Sequence, residues 1–213
     1  MVDHSNARRV SCGQRTPFLL QRLQASPHHR HSGRSNARRV LALSSPFPPS
    51  SIQFANDLQQ KGIRTTLIPD SGVGYFMHTV QLVLMGAEVV VETGGVINKL
   101  GSLQVGVLAK TFNVPVYIAV ESYKFARIYP LNQKSVPVSE ADRQISEKAR
   151  PKELDEGVEF GAARCDYLPP EYITFLMTDL GVLAPPSVSD ELIKLYWWIV
   201  CWKCEETNKQ INY

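Results

Sequence analysis

The chain has 213 residues, a net charge of +3, 44% hydrophobic residues and 20% charged residues. This length accommodates one good-sized domain with tails. No apolar run reaches the roughly 18 residues that a bilayer-spanning helix needs. The first 30 residues also lack the continuous apolar stretch of a signal peptide. We therefore expect a globular protein without a membrane span.

The positive charge is concentrated in the first 40 residues, which contain eight Arg residues and one acidic residue, Asp3. Such a basic arm is typical of an unfolded tail, of a nucleic-acid contact or of a transit peptide. The hexapeptide SNARRV occurs at residues 5–10 and again at 35–40, which we interpret as a duplication in the coding region. The duplication and Asp3 weigh against a transit peptide.

Four cysteines are too few and too scattered for a disulfide framework, so a reducing compartment is expected. They are Cys12, Cys165, Cys201 and Cys204. The last two form a single C-x-x-C pair without a second pair or a nearby His, which is weak evidence for zinc. We expect no metal site and no cofactor.

The first predicted elements follow a Pro/Ser linker, SSPFPPSS, at residues 44–51. Residues 51–62 have helical spacing and end at Gly62, a helix stop signal. Residues 64–71, RTTLIPDS, predict a short β-branched strand. Residues 72–80 predict a short helix.

The next segments alternate between strand and helix. Residues 81–92, QLVLMGAEVVVE, are almost wholly apolar and predict one strand buried on both faces. Residues 100–113 predict an amphipathic helix, and residues 114–122 another buried strand. The predicted buried face of this helix comprises Leu100, Leu103, Val107 and Leu108. The alternation predicts a parallel sheet with crossovers, a doubly wound α/β domain.

The last third of the chain begins with a polar, charge-rich stretch at residues 132–165, which predicts a loop or insertion. Residues 172–183, YITFLMTDLGVL, predict a strand that runs into a turn. Ser187 or Ser189 is expected to cap a final short helix, and Ser187 and Asp190 have capping-box spacing.

Several polar residues lie at the predicted carboxyl ends of the strands, where open α/β sheets bind ligands. They are Asp70, Glu88, Glu92, Gly94, Gly95, Asn98, Lys99, Glu121 and Ser122. A Gly pair lets backbone N–H groups approach a phosphate, and Lys99 supplies a positive charge. Neither the Walker loop nor the dinucleotide-binding fingerprint is present. The pattern leaves an anion site and a structural turn both open.

Longer segments resemble a known family in order and spacing. The segments PDSGVGYFM, LVLMGAEVVVETGGVINKLGS, VPVYIAVESYKFARIYPLNQ and ITFLMTDLGVLAPPSVSDELIKLY are similar to the C-terminal half of alpha subunits of eukaryotic translation initiation factor 2B. The resemblance covers residues 51–196. The family also includes methylthioribose-1-phosphate isomerase and ribose-1,5-bisphosphate isomerase, and it implies a Rossmann-like fold.

The resemblance to the isomerases implies roles for individual residues. Asp70 matches an acid/base residue that acts beside a catalytic Cys, and Asn98 with Lys99 matches the pair that holds the sugar phosphate. That Cys would lie in an upstream half which this chain lacks, so isomerase activity is not expected. The tentative sugar-phosphate pocket comprises Asp70, Glu88, Gly94, Gly95, Asn98 and Lys99. We expect sugar phosphates to bind weakly, if at all.

The resemblance to the alpha subunits implies a non-catalytic, cytosolic function in translation initiation. The expected partners are a second copy in a homodimer, the beta, gamma, delta and epsilon subunits of the exchange factor, and initiation factor 2 itself. No membrane or direct nucleic-acid partner is expected. An independent observation agrees with assembly, because the stretch SYKFARIYPL at residues 122–131 is expected to expose more apolar residues than a loop needs. They are Tyr123, Phe125, Ile128, Tyr129 and Leu131. Ordinary packing of these residues under the domain is the alternative, and the sequence leaves both open.

Two departures from the family define the expected domain boundaries. Residues 1–50 are expected to form a low-order arm and linker, in which SNARRVLAL is the remnant of a helix and SSPFPPSS replaces the first strand. Residues 51–196 form the expected domain. Residues 197–213 are an extension that read-through of a splice site explains better than a membrane or metal function does.

Overall fold

The computed structural model of the chain describes residues 19–22, 39–44, 49–137, 144–145, 148, 150–155, 157–161 and 163–197. These residues form two β-sheets and the helices that pack against them. The strands are β1 (Leu19–Arg22), β2 (Arg39–Ser44), β3 (Arg64–Pro69), β4 (Leu82–Gly86), β5 (Val89–Val91), β6 (Val96–Lys99), β7 (Val116–Ala119), β8 (Phe125–Ala126), β9 (Cys165–Leu168), β10 (Phe175–Thr178) and β11 (Gly181–Leu183).

Four α-helices whose bounds lie within the described residues connect the strands, together with several 3-10 turns. These helices are α1 (Pro49–Gln60), α2 (Val73–Met77), α3 (Ser102–Thr111) and α4 (residues 188–197). The 3-10 turns are Asp70–Gly72, Ser122–Lys124, Gln133–Ser135, Pro170–Tyr172 and Pro185–Ser187. The predicted stop at Gly62 is confirmed, because Gly62 has a φ of +75° and its N–H donates to the carbonyl of Gln59.

The larger sheet has seven strands in the order β11-β10-β7-β4-β1-β2-β3. β4, β7 and β10 are parallel neighbours, and β2 is parallel to β3. The predicted α/β class with parallel strands is confirmed. The sheet is nevertheless mixed, because β1 lies antiparallel between β4 and β2 and β11 forms an antiparallel edge.

Two expectations for the stretch before α1, the helix remnant and the replacement of the first strand, are wrong. Residues 39–44, which include the end of the supposed helix remnant, form β2 and pair in register with β3. A strand therefore precedes the Pro/Ser linker instead of being replaced by it. α1 begins at Pro49, inside that linker, because proline is tolerated in the first turn of a helix. The boundary at residue 51 stays a prediction, with β1 and β2 lying before it.

The predicted single strand over residues 81–92 is divided between the two sheets. β4 joins the larger sheet, whereas β5 joins a four-stranded sheet in the order β8-β5-β6-β9. Side chains satisfy the carbonyls between them: Asn98 Nδ2 donates to Gly86 at 2.9 Å and Lys124 Nζ donates to Ala87 at 2.9 Å. The backbone can therefore leave the first sheet without a buried, unpaired acceptor.

Burial of β4 alternates along the strand, so the prediction of burial on both faces is wrong there. Val83 and Met85 are buried, whereas Leu82 and Leu84 are half-buried. The buried face belongs to the main core, which also includes residues of α2, α3 and α4. The helices therefore cover one face of this part of the sheet more completely than the other.

The predicted apolar face of α3 is also wrong in part. Leu100 precedes the helix and is 55% exposed, and Val107 is 40% exposed. The buried residues of α3 are Ser102, Val105, Gly106 and Ala109. A Cβ on Gly106 would overlap the side chain of Leu168 in β9. At Gly106, α3 therefore approaches β9 of the smaller sheet too closely for a larger side chain.

The chain enters α4 through the turn Pro185–Ser187, which has Ala184 at its N-cap and no side-chain capping bond. Ser187 therefore lies inside helical backbone instead of capping it, and the predicted capping box is wrong. Ser189 Oγ donates to the carbonyl of Pro186 instead. Val188 and Leu192 anchor α4 in the main core.

Candidate functional site

The glycine loop closes a β-hairpin. β5 and β6 are antiparallel, with Val90 opposite Val96, and residues 92–95 form the turn between them. The loop therefore does not lead directly from a strand to a helix, as a phosphate-binding loop does. α3 begins only after β6, behind Gly101, which has a φ of +106°.

The N–H groups of the glycine pair are used within this turn. Gly94 N donates to the carbonyl of Val91 at 2.8 Å, and Gly95 N donates to Thr93 Oγ1 at 3.4 Å. Val91 N in return donates to the carbonyl of Gly95 at 2.9 Å. The hydroxyls of Thr93 and Tyr167 are 3.2 Å apart and are also hydrogen-bonded. The two N–H groups are thus occupied by protein partners.

Close packing explains why both positions are glycine. Gly94 has a φ of +82°, and a Cβ there would overlap the carbonyl of Pro185. A Cβ on Gly95 would come within 2.6 Å of the ring of Tyr167. Of the two interpretations left open by the sequence, these contacts favour a structural turn.

Glu88, Asn98 and Lys99 lie beside this hairpin. Glu88 N donates to the carbonyl of Ile97 at 3.1 Å, which places Glu88 next to Asn98. Asn98 is fully buried, whereas Glu88 and Lys99 are half-buried. A fully buried Asn98 is placed to support the backbone at Gly86 rather than to meet solvent.

Asp70 lies at a different position in the fold. It begins the 3-10 turn after β3, which is an edge strand of the larger sheet. Burial raises its pKa above the ordinary value of 3.8. Among the described residues, no side-chain hydrogen bond or ion pair links Asp70 to Glu88, Asn98 or Lys99. Five of the six predicted pocket residues therefore lie in or beside the hairpin: Glu88, Gly94, Gly95, Asn98 and Lys99. The sixth, Asp70, follows β3 instead.

A cleft of about 480 Å³ lies at the carboxyl ends of the parallel strands β7 and β10. It is lined by Ala119, Val120, Glu121, Tyr123, Lys124, Met177, Thr178 and Asp179. The sequence placed Glu121 at a strand end but missed Thr178 and Asp179. The sequence did contain a signal for these two residues, because Thr178 and Asp179 lie at the carboxyl end of β10, which is also a parallel strand.

Asp179 closes one side of the cleft by binding the neighbouring loop. Its carboxylate accepts a hydrogen bond from Ser122 N at 2.6 Å and another from Ser122 Oγ at 2.7 Å. These two bonds hold the pKa of Asp179 below its ordinary value of 3.8. The pair joins the ends of β7 and β10 and fixes where the following loop begins.

That loop carries the most exposed apolar surface near the cleft. We call residues 123–131 the aromatic segment. Tyr123 is 69% exposed, Tyr129 is 66% exposed and Leu131 is 79% exposed. Phe125 and Ile128 instead pack against the two hydrophobic cores. The segment is therefore anchored by these residues, while Tyr123, Tyr129 and Leu131 face outward, as the sequence predicted for these three but not for Phe125 and Ile128.

The described residues contain neither a metal-binding cluster nor a membrane-spanning helix. No group of three or more His, Cys, Asp or Glu side chains there is placed to hold a metal ion. No helix of that part of the chain is both long and apolar enough to cross a membrane. The C-x-x-C pair at Cys201 and Cys204 lies outside the described residues.

The chain is similar to several known proteins. It is 43% identical over 166 residues to the alpha subunit of translation initiation factor eIF2B from Dictyostelium discoideum, covering 74% of this chain and 50% of that protein. It is 35% identical over 152 residues to ribose 1,5-bisphosphate isomerase from Archaeoglobus fulgidus, covering 70% of this chain and 48% of that protein. The chain thus spans about half the length of the curated relatives it matches.

A solved structure gives the same fold. The 5-methylthioribose 1-phosphate isomerase of Pyrococcus horikoshii superposes with a TM-score of 0.54 at 24% identity, over 67% of this chain and 40% of that one. A sequence profile of the initiation factor 2 subunit family matches residues 28–185. This match covers most of the chain, including both sheets' central strands. The chain therefore belongs to the initiation factor 2 subunit family.

Proposed function

We propose that this chain is a non-catalytic, cytosolic subunit that contributes to assembly and regulation of the guanine nucleotide exchange factor for initiation factor 2. In this proposal it forms a homodimer and associates with the beta, gamma, delta and epsilon subunits. It thereby takes part in the response to phosphorylated initiation factor 2. The 43% identity to an eIF2B alpha subunit supports this function.

The exposed aromatic segment is the observation that carries the proposal. Tyr129 and Leu131 are each more than half exposed, although the loop is fixed by buried neighbours. Rigid, exposed aromatic and aliphatic side chains are what protein interfaces use as anchors, because little conformational entropy is lost when they are buried. Tyr123 extends the same surface to the cleft. We infer that this segment meets a partner subunit.

The hairpin supports a non-catalytic role. Its glycine N–H groups donate to Val91 and Thr93, so a phosphate would have to compete with existing bonds. Asn98 is buried. We therefore propose that the pocket of Asp70, Glu88, Gly94, Gly95, Asn98 and Lys99 binds a sugar phosphate weakly or not at all.

A sugar-phosphate isomerase is the second candidate, because a ribose 1,5-bisphosphate isomerase is 35% identical to the chain over 152 residues. The two candidates differ in a direct assay. Incubation with ribose 1,5-bisphosphate is expected to give no turnover. Calorimetry with the same compound is expected to give no saturable binding in the micromolar range. Turnover would favour the isomerase.

Assembly is tested by mixing the purified full chain with the beta, gamma, delta and epsilon subunits and separating the products by size. The proposal predicts that the chain co-elutes with the other four subunits. The matched control is the four-subunit mixture without the chain, which should elute later. A folded chain that elutes separately from the other subunits at every tested concentration would contradict the proposal.

A further inference from the structure

Two buried side-chain oxygens have no hydrogen-bond partner among the described residues, and they belong to residues that are paired across two strands. They are Asn98 Oδ1 and Asp166 Oδ1. Asn98 is 0% exposed and Asp166 is 6% exposed. The two residues face each other in the antiparallel pair of β6 and β9, so their side chains leave the sheet on the same face. Two adjacent buried acceptors without a donor need an explanation.

The other polar atoms of both side chains are already used. Asn98 Nδ2 donates to the carbonyl of Gly86 at 2.9 Å, which fixes Oδ1 as the remaining acceptor of the amide. Asp166 Oδ2 accepts from Gly101 N and from Leu103 N, both at 2.9 Å. Asp166 thereby anchors the start of α3 to β9. A single proton on Asp166 Oδ1 would turn one acceptor into a donor and satisfy both oxygens.

The surroundings favour that proton. Burial raises the pKa of Asp166 above 3.8, and hydrogen bonds from Leu103 N, Gly101 N, the Ser102 side chain and its own backbone lower it by less. The Ser102 hydroxyl already donates its proton to the carbonyl of Lys99 at 2.7 Å, so it does not supply the missing donor. Charged residues on the elements packed around it are Lys99 on β6, Arg164 ahead of β9, Lys110 near the end of α3 and Glu88 ahead of β5. The charges of these residues are not among the causes of the raised pKa. Burial is the dominant cause.

We propose that Asp166 is a neutral carboxylic acid in the folded domain and donates a hydrogen bond from Oδ1 to Asn98 Oδ1. This bond makes the junction of β6, β9 and α3 a pH-sensitive latch. Because the folded state holds the proton more tightly than the unfolded chain, the latch contributes stability at low pH. That contribution is lost as the pH rises from 3.8 through the pKa of the folded state. The inference does not depend on the proposed assembly function.

The variant Asp166→Asn distinguishes a neutral Asp166 that donates to Asn98 from an ionised Asp166. The new amide oxygen can still accept from Gly101 and Leu103, while the new amide nitrogen donates permanently to Asn98. The full chain and the variant are unfolded thermally at several pH values between about 4 and 7. The midpoint of the variant is expected to match that of the original chain at the acidic end and to exceed it increasingly toward neutral pH. The control is Asp190→Asn, because Asp190 is exposed and should give a difference that does not follow this trend.

A variant less stable than the original chain at every pH, or a pH-independent difference, would mean that Asp166 is ionised, and the proposal would fail. A measurement on the unaltered chain covers the case in which the variant does not fold. Carbon-13 NMR with the Asp166 carboxyl resonance assigned should show that this group stays protonated above pH 3.8. Assignment is needed because burial also raises the pKa of Asp70. If the Asp166 carboxyl titrates at or below that value, the latch does not exist.

Discussion

The hairpin turn of residues 92–95 and the aromatic segment of residues 123–131 differ in how their groups are used. In the turn, the glycine N–H groups donate to protein partners, and both glycine Cα atoms pack against Pro185 or Tyr167. In the aromatic segment, buried residues fix the loop while Tyr129 and Leu131 remain mostly exposed. The turn stabilises the domain, and the segment has unused apolar surface.

This difference indicates which part of the fold is available for binding. A motif that looks like a phosphate cradle can be retained because its glycines permit close packing. An exposed apolar surface on an anchored loop has no such internal role, so a partner is the simplest reason for it.

Gly94→Ala should be the most damaging single change in the turn. The added methyl group would overlap the Pro185 carbonyl, and the alanine backbone would have to adopt a φ of +82°. We therefore expect a loss of more than about 3 kcal/mol in the free energy of unfolding. Urea denaturation monitored by circular dichroism measures this loss of free energy of unfolding. The control is Gly62→Ala, which has a φ of +75° and no neighbour within 4 Å, and should cost about 1 kcal/mol. Equal losses for the two variants would show that packing against Pro185 is not important.

A double variant, Tyr129→Ser with Leu131→Ser, should weaken assembly without unfolding the domain. Loss of two exposed anchors is expected to cost about 2 kcal/mol of binding free energy, or about thirtyfold in affinity. Sedimentation or size-exclusion titration with the partner subunits measures the change. The control is Tyr75→Ser, because Tyr75 is 76% exposed but lies outside the segment. If both variants weakened assembly equally, the segment would not be the specific surface.

Thr93→Val should produce a smaller loss in the turn. It removes the hydrogen bonds of Thr93 with Tyr167 and Gly95, so we expect a decrease of about 1 kcal/mol in stability. Thr111→Val is the matched control, because its hydroxyl donates to Val107 on an exposed helix surface. A turn variant as stable as the control would argue that these hydroxyl bonds contribute nothing.

The smallest expected effect concerns the pH dependence of the cleft. Because the folded-state pKa of Asp179 is held below 3.8 by Ser122, the contribution of this pair is present above pH 3.8 and is lost as the pH falls through the lowered pKa. Ser122→Ala should move the pKa of Asp179 upward, toward 3.8, in an NMR titration. Ser189→Ala should leave it unchanged, because that hydroxyl donates to Pro186. An unchanged pKa in Ser122→Ala would contradict the assignment.

Local sequence patterns predicted the elements in which one signal was dominant. The helix ending at Gly62, the strand β3 and the short helix α2 follow from stop signals, β-branched residues and apolar spacing. The division of residues 81–92 was missed, because it depends on Asn98 and Lys124 satisfying carbonyls from distant positions. Apolar composition alone cannot distinguish one long strand from two strands in different sheets.

The sequence predicted that the glycine pair follows a strand, but it did not predict what surrounds the pair. The position of Gly94 and Gly95 after a strand was correct, yet their neighbours Pro185 and Tyr167 are about 70 to 90 residues away in the chain. The role of Asp166 was missed for the same reason, since its partners Gly101 and Leu103 lie on another element. Such long-range contacts decide whether a glycine loop is open to a ligand, and no local pattern encodes them.

Hydrogen–deuterium exchange of the full chain, alone and then with the partner subunits or with ribose 1,5-bisphosphate, tests the division between turn and segment most directly. Partner subunits are expected to slow exchange at residues 123–131, and the sugar phosphate is expected to leave exchange at residues 92–101 unchanged. Slower exchange around the hairpin with the sugar phosphate, together with no change in the aromatic segment on adding the subunits, would contradict this division.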